Sequence, residues 1–141
     1  MVPQIVTDTN VLVSALRSRN GASFRLLSMM DAGKFELAIS VALVLEYEAV
    51  VKKHSRATGL SAAEVDAIID YICAIAKHYK IYYLWRPFLS DSKADMVLEL
   101  AVVANANAIV THNTADFKGI ERFGLSATTP REFLREIGEL G

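Results

Sequence analysis

Short apolar runs rich in β-branched residues recur along this chain, and each is followed by a stretch in which apolar residues return at helical spacing. That alternation constrains the fold more than any other feature. Strands and helices that take turns along a chain bury their apolar faces together as a mostly parallel sheet with helices on both sides, an α/β architecture. The strand-like runs are residues 4 to 8, "FELAIS" (35 to 40), "KIYYLW" (80 to 85), "NAIVT" (107 to 111) and "LSATT" (125 to 129). Helical spacing predicts helices from Val11 to Arg17, from Ala22 to Ala32, and after Ser40 through Leu45, Glu46 and Val50. "LSAAEVDAIIDYICAIAKHY" (60 to 79) reads as the longest helix, opened by the capping-box pair Ser61 and Glu64. A further helix is opened by Ser92, and a last one by Thr129 and Pro130, running to about Ile137. Loops are expected at Ser55 to Gly59 and Arg86 to Asp91, with a loop or short helical turn at Asn113 to Lys118.

A chain of 141 residues supports one ordinary core, so a single domain over residues 1–141 is expected. Its apolar stretches are interrupted by charge well before the roughly 18 residues a membrane span requires, and no basic segment leads into an apolar one at the start. The expectation is a cytoplasmic protein with no membrane partner. A lone Cys73, spaced with Ile69, Ile72 and Ala76, reads as core filling on a helix. The net charge of -1 and a pI near 6.3 exclude a strongly basic nucleic-acid binder, so any polyanion must be met by local patches or by metal ions.

The chemistry-bearing residues are acids at the ends of the predicted strands. Parallel sheets bind ligands outside the carboxyl ends of their strands, near the point where strand order reverses. Asp8 terminates the first strand, Glu46 lies in the helix after the second, Asp95 near the start of the helix after the third, and Asp116 just after the fourth. Three of the four also have a simpler reading. Asp8 suits an Asx-turn, and Asp116 and Asn113 suit a turn or helix start. Ser92-Lys93-Ala94-Asp95 is itself a capping-box pattern, which leaves Asp95 divided between cap and site. Glu48 has Lys52 one helical turn away, whereas Glu46 has only apolar helical neighbours in Ala42, Leu43, Ala49 and Val50, which points it inward. Two carboxylates 4 Å apart repel by about 4 kcal/mol at an effective dielectric of 20, so a cluster of this kind protonates in part or takes up cations. Oxygen donors without Cys or His select Mg2+ or Mn2+, and such ions suit phosphodiester hydrolysis by activating water and offsetting phosphate charge.

The stretches "VTDTNVLVSAL", "ISVALVLEYEAVV", "DSKADMVLELAVVANANAIVTHNTADF" and "TPREFL" resemble, in the right order and over nearly the whole chain, the PIN domain, specifically the bacterial VapC-like toxin ribonucleases. The resemblance implies a three-layer α/β/α sandwich with a five-stranded parallel sheet, Mg2+- or Mn2+-dependent endoribonuclease activity on RNA, a homodimer, and a cognate antitoxin as partner. Carried over by motif, Asp8, Glu46, Asp95 and Asp116 are the catalytic and metal-binding acids, the last within "T-x-N-x-x-D-F". Asn10, Thr111 and Asn113 match polar supports, Asn113 standing where relatives have Asp or Asn. Many relatives carry an acidic, Pro-containing run before the third acid; here Ser92 and Ala94 interrupt it, leaving Asp91 and Asp95. His112 stands where relatives often have Gly or Arg, and reads as a surface or hydrogen-bonding residue that would suit phosphate when protonated.

RNA contacts are sought in two basic stretches, Arg17, Arg19 and Arg25 around the first loop, and Lys52 and Lys53 with His54 and Arg56 in the second. Tyr79, Tyr82, Tyr83 and Trp85 have the spacing of core residues rather than base-stacking platforms. Two rival functions stand beside the nuclease. Asp8-Thr9-Asn10 is similar to the D-x-D of haloacid-dehalogenase-like phosphatases, although Asn10 cannot serve as their proton donor. The other rival is a catalytically silent PIN-like module that binds RNA or protein.

Overall fold

The computed structural model describes residues 2–81, 88–89 and 91–139. Its five strands, β1 (Gln4–Thr7), β2 (Glu36–Ile39), β3 (Lys77–His78), β4 (Ala108–Val110) and β5 (Ser126–Thr128), form one sheet in the order β3-β2-β1-β4-β5. Every neighbouring pair is parallel, with Ile5 opposite Leu37 on one side and Ala108 on the other. The helices are α1 (Thr9–Arg17), α2 (Ala22–Ser28), α3 (Val41–Lys53), α4 (Ser55–Thr58), α5 (Ala62–Ile75), α6 (Ser92–Val103) and α7 (Pro130–Glu136). Helix α1 packs on α2 and α3, α3 on α5, and α2 on α7, while α6 lies against β1, β2 and β4. Among the described residues no helix is long and apolar enough to cross a membrane.

The elements follow local chemistry closely. Ile5 and Val6 in β1 and Ile109 and Val110 in β4 are fully buried, as central strands covered on both faces require. Ser40 accepts a hydrogen bond from the Leu43 N–H, and both expected capping boxes form, Ser61 with Glu64 and Thr129 with Glu132. Phe35 and Phe133 meet edge to face at 5.7 Å and tie the entry of β2 to α7. Cys73 is half-buried against the core on α5, and burial raises its thiol pKa.

Five sequence expectations are corrected. Helix α2 stops at Ser28 rather than Ala32, because Met29 N–H turns to the carbonyls of Leu26 and Leu27 and the chain then turns through Gly33 at φ 78°. The expected loop after residue 54 contains the short helix α4, closed by Gly59 at φ 72°. Helix α5 ends at Ile75 instead of Tyr79, and after the cap residue Ala76 the chain pairs Lys77 with Ala38 and His78 with Ile39 as β3. The predicted strand "KIYYLW" therefore begins too late: Lys80 and Ile81 follow β3, and residues 82–85 lie outside the described residues, as do the aromatic assignments of Tyr82, Tyr83 and Trp85. Lys77 and His78 are exposed on an edge strand, so backbone pairing places them where no apolar alternation could signal it. Finally, Asp91 rather than Ser92 caps α6, its Oδ1 accepting the Lys93 N–H at 2.9 Å.

One buried contact sets the position of α3 over the sheet. Tyr47 Oη donates to the Thr7 carbonyl at 2.6 Å, leaving the Thr7 hydroxyl as donor in their 2.8 Å pair. Burial holds the phenol protonated far above the ordinary tyrosine range. Tyr47→Phe strands Thr7 beneath α3, and we expect equilibrium urea denaturation to show a loss of about 1–2 kcal/mol.

Candidate active site

Chain order reverses at β1, since the connection to β2 runs one way along the sheet and β4 and β5 lie on the other side. The carboxyl ends of β1 and β4 therefore border a crevice of the kind that receives ligands in open parallel sheets. Asp8 follows β1 directly and caps α1, with Thr9 N–H on its Oδ1 at 2.9 Å. Its backbone N–H still reaches the Val110 carbonyl at 2.8 Å, so the residue is held in the sheet ladder while its side chain faces the crevice. Thr111, the first residue beyond β4 and fully buried, donates its hydroxyl to Asp8 Oδ2 at 2.8 Å. The same hydroxyl oxygen accepts the Asn113 N–H at 3.0 Å and the Asn10 amide at 3.5 Å. Asn10 Oδ1 in turn accepts the His112 N–H at 3.2 Å. Asn10, Thr111 and Asn113 thus form one network around the first acid.

The crevice is a cleft of about 510 Å3 whose lining includes Asp8, Glu46, Asp91 and Asp116. Glu46 is brought there by α3, with its side chain 18% exposed and its Oε2 accepting the Thr9 hydroxyl at 3.3 Å. Thr9 therefore stands between Asp8, which takes its N–H, and Glu46, which takes its hydroxyl. This bridge was invisible to spacing rules because it joins residues 37 apart. Asp116 comes from the 3-10 turn Thr114–Phe117, anchored by buried Phe117 and by its own N–H to the Asn113 carbonyl. Glu48, by contrast, pairs with Lys52 at 3.6 Å on the solvent face of α3.

Asp95 does not join this group. Its Oδ1 accepts the N–H groups of Phe88 at 3.1 Å and Leu89 at 2.8 Å, clamping the chain that enters α6 onto the first turn of that helix. The acid that α6 sends to the cleft is its cap, Asp91, next to Ala94 and Lys93. Lys93 Nζ lies 3.8 Å from Glu46 Oε1. Among the basic candidates, Arg17 lines the cleft, Arg19 and Arg25 line a separate depression, and Lys52 is engaged by Glu48 and by Asp66 at 2.8 Å. Lys53 lines none of these depressions. His112 lines the cleft with Nε2 2.8 Å from the buried Ser23 hydroxyl, and burial lowers its pKa, against the pull of Asp8.

Burial raises the Asp8 carboxyl above its ordinary value, helped by the negative charges of Glu46 and Asp116, while the hydrogen bonds from Thr111 and Thr9 pull the other way. The folded protein therefore holds the Asp8 proton more tightly than the unfolded chain. The stability this contributes is complete below the ordinary carboxylate range and is lost as pH rises through the raised value. Measured in chelator-containing buffer, the unfolding free energy of Asp8→Asn relative to wild type should increase between about pH 3 and about pH 7. A difference that stays flat over that range contradicts the assignment. The clamp and the cap separate in a second comparison: Asp95→Ala strands two backbone donors and should lose about 1–3 kcal/mol in thermal unfolding, more than the exposed Asp91→Asn.

Three comparisons bear on this geometry. A model of the PIN domain matches residues 4–115, which spans β1 through the residue before Asp116. No curated protein matches the sequence. Among solved structures, the fold is similar to a chain in the crystal structure of VapBC2 from Rickettsia felis bound to a DNA fragment from their promoter. The TM-score is 0.60 at 16% identity, covering 88% of this chain and 98% of that one, a likeness of fold alone. An all-parallel five-stranded sheet with acids gathered where its order reverses, together with a family match over most of its length, makes this chain a member of the PIN domain family.

Proposed function

We propose that this PIN domain is a divalent-metal-dependent endoribonuclease and the toxin of a toxin-antitoxin pair. The observation that carries the reading is the convergence of Asp8, Glu46 and Asp116 on one cleft, with Asp91 beside them. PIN domains are generally nucleases that use divalent metals, and the donor set here agrees with that. It consists of carboxylate oxygens, the chemistry that Mg2+ and Mn2+ prefer. No group of three His, Cys, Asp or Glu residues among those described is drawn close enough to enclose an ion by itself. Substrate phosphate and water commonly complete the coordination of Mg2+, so the acids need not enclose it alone. Asp8, Glu46 and Asp116 would hold the ion, which when bound supplies charge neutralisation at the phosphate and a more acidic attacking water.

The chain's own residues prepare that chemistry. Thr111 and Thr9 aim the two oxygens of Asp8, and Thr9 also holds Glu46, so neither acid must be reoriented when a phosphodiester arrives. Lys93 and Arg17 supply positive charge to the cleft rim for the phosphates on either side of the cleaved bond. Asp95 acts through the helix entry it clamps, as a positioning residue for Asp91. The phosphatase alternative loses support because Asn10 spends its amide on His112 and Thr111. An antitoxin partner and a homodimer belong to this proposal by analogy with the family, in which the similar VapBC2 structure is a two-component complex.

A fluorogenic RNA assay with added Mn2+ tests the reading. Wild type should cleave, Asp8→Asn and Asp116→Asn should each fall roughly 100-fold or more, and Thr111→Val about 10- to 100-fold. Tight RNA binding by wild type with no metal-stimulated product would instead favour the silent module.

A further inference from the structure

A nuclease that cuts within a strand must hold RNA on at least one side of the cut, and an acidic cleft repels every phosphate that is not charge-compensated. Beyond the cleft the surface continues as two shallow depressions of about 320 and 360 Å3. Ser14 and His112 line both the cleft and the first depression, and Arg131 lines both the first and the second, where Arg19 and Arg25 also lie. The three depressions thus form one path, from the acids at the ends of β1 and β4 to a basic floor built by the loop after α1, by α2 and by α7.

The arginines of the second depression are less engaged than several of the lysines. Lys34, Lys52 and Lys93 sit in salt bridges with acids. Arg19 and Arg131 make no salt bridge among the described residues, and Arg25 meets only Glu139 at 3.9 Å with a half-exposed side chain. Three exposed guanidinium groups gather in a protein whose net charge is -1, so their clustering is not a by-product of general basicity. Planar guanidinium forks suit phosphate oxygens. Asn20 and Ser28 line the depression with them and Phe24 is its one large apolar side chain, a lining that suits a charged strand.

We propose that the RNA strand leaves the acidic cleft past Ser14 and His112 and lies along this groove, with Arg19, Arg25 and Arg131 holding its backbone phosphates. The groove rests on the nuclease reading for the identity of the strand. It reads backbone and length, not base sequence, and so makes a long substrate bind better than a short one.

The test is binding by fluorescence anisotropy, in chelator and in an Asp8→Asn background, of a labelled RNA of about a dozen nucleotides and of a dinucleotide, over a salt series. Arg19→Ala/Arg131→Ala should weaken the longer RNA about tenfold, flatten its logarithmic salt slope by about 1 to 2, and leave the dinucleotide unchanged. Lys77→Ala/Lys80→Ala, which removes the same charge at the opposite edge of the sheet, should change neither. Unchanged affinity and slope, equal losses for both RNAs, or no RNA binding by the parent would overturn the groove. Because binding is read without turnover, a shifted slope alongside a wild type that never cleaves keeps the groove and sinks the nuclease. Normal cleavage with an unshifted slope does the reverse.

Discussion

The hydrogen bond from the Thr111 hydroxyl to Asp8 Oδ2 joins the carboxyl ends of β1 and β4, and the rest of the site is arranged around it. A largely buried carboxylate is expensive to ionise, and a hydrogen bond to a charged acceptor recovers about 1.5–3 kcal/mol of that cost. Thr111 can make the bond because its own oxygen is saturated from behind by Asn113 and Asn10. The network therefore leaves the acid both ionisable and immobile. Tyr47 performs the matching task for the second acid. By locking α3 to Thr7, one residue before Asp8, it fixes where the neighbouring Glu46 emerges.

The entrance of α6 shows how helix capping and site construction compete for the same residue types. An Asp before a helix and an Asp in its first turn both satisfy orphan N–H groups, and both occur here four residues apart. Asp91 caps with one oxygen through Lys93 N–H and lines the cleft. Asp95 turns away from the cleft because the Phe88 and Leu89 N–H groups converge on its Oδ1. Placing Lys93 between them also brings a cation to within 3.8 Å of Glu46, which moderates the repulsion that three nearby acids would otherwise impose.

What was legible in the sequence is what local chemistry determines. A strand that ends in Asp8 and a Glu46 with only apolar helical neighbours both declare a direction, and the structure gives them that direction. The parallel alternation is equally local, because it is written in apolar spacing. Spacing leaves Asp95 divided between cap and site, and the structure turns its Oδ1 to the Phe88 and Leu89 N–H groups, a contact that no helical spacing announces. Strand β3 was shifted because Lys77 and His78 earn their place by pairing with Ala38 and Ile39, with no side-chain burial to mark them. The Thr9 bridge and the Tyr47 lock join residues about forty positions apart, and no periodicity carries information over that range.

Charge shows the same division between local and global. A pI near 6.3 correctly excludes steering of a polyanion by the overall field of the molecule, yet it says nothing about where the charges lie. At physiological ionic strength the screening length is about 8 Å, so a phosphate group responds to the side chains next to it rather than to a sum over the surface. Acids concentrated at the ends of β1 and β4 and exposed arginines concentrated beyond Ser14 and His112 are then two separate environments, although the charges of the whole chain nearly cancel. The first attracts small cations and the second attracts a polyanion. A strand spanning both would bring its phosphates from the arginines to the acids, where an ion is needed before they can be tolerated, and that requirement couples substrate binding to metal binding without any moving part.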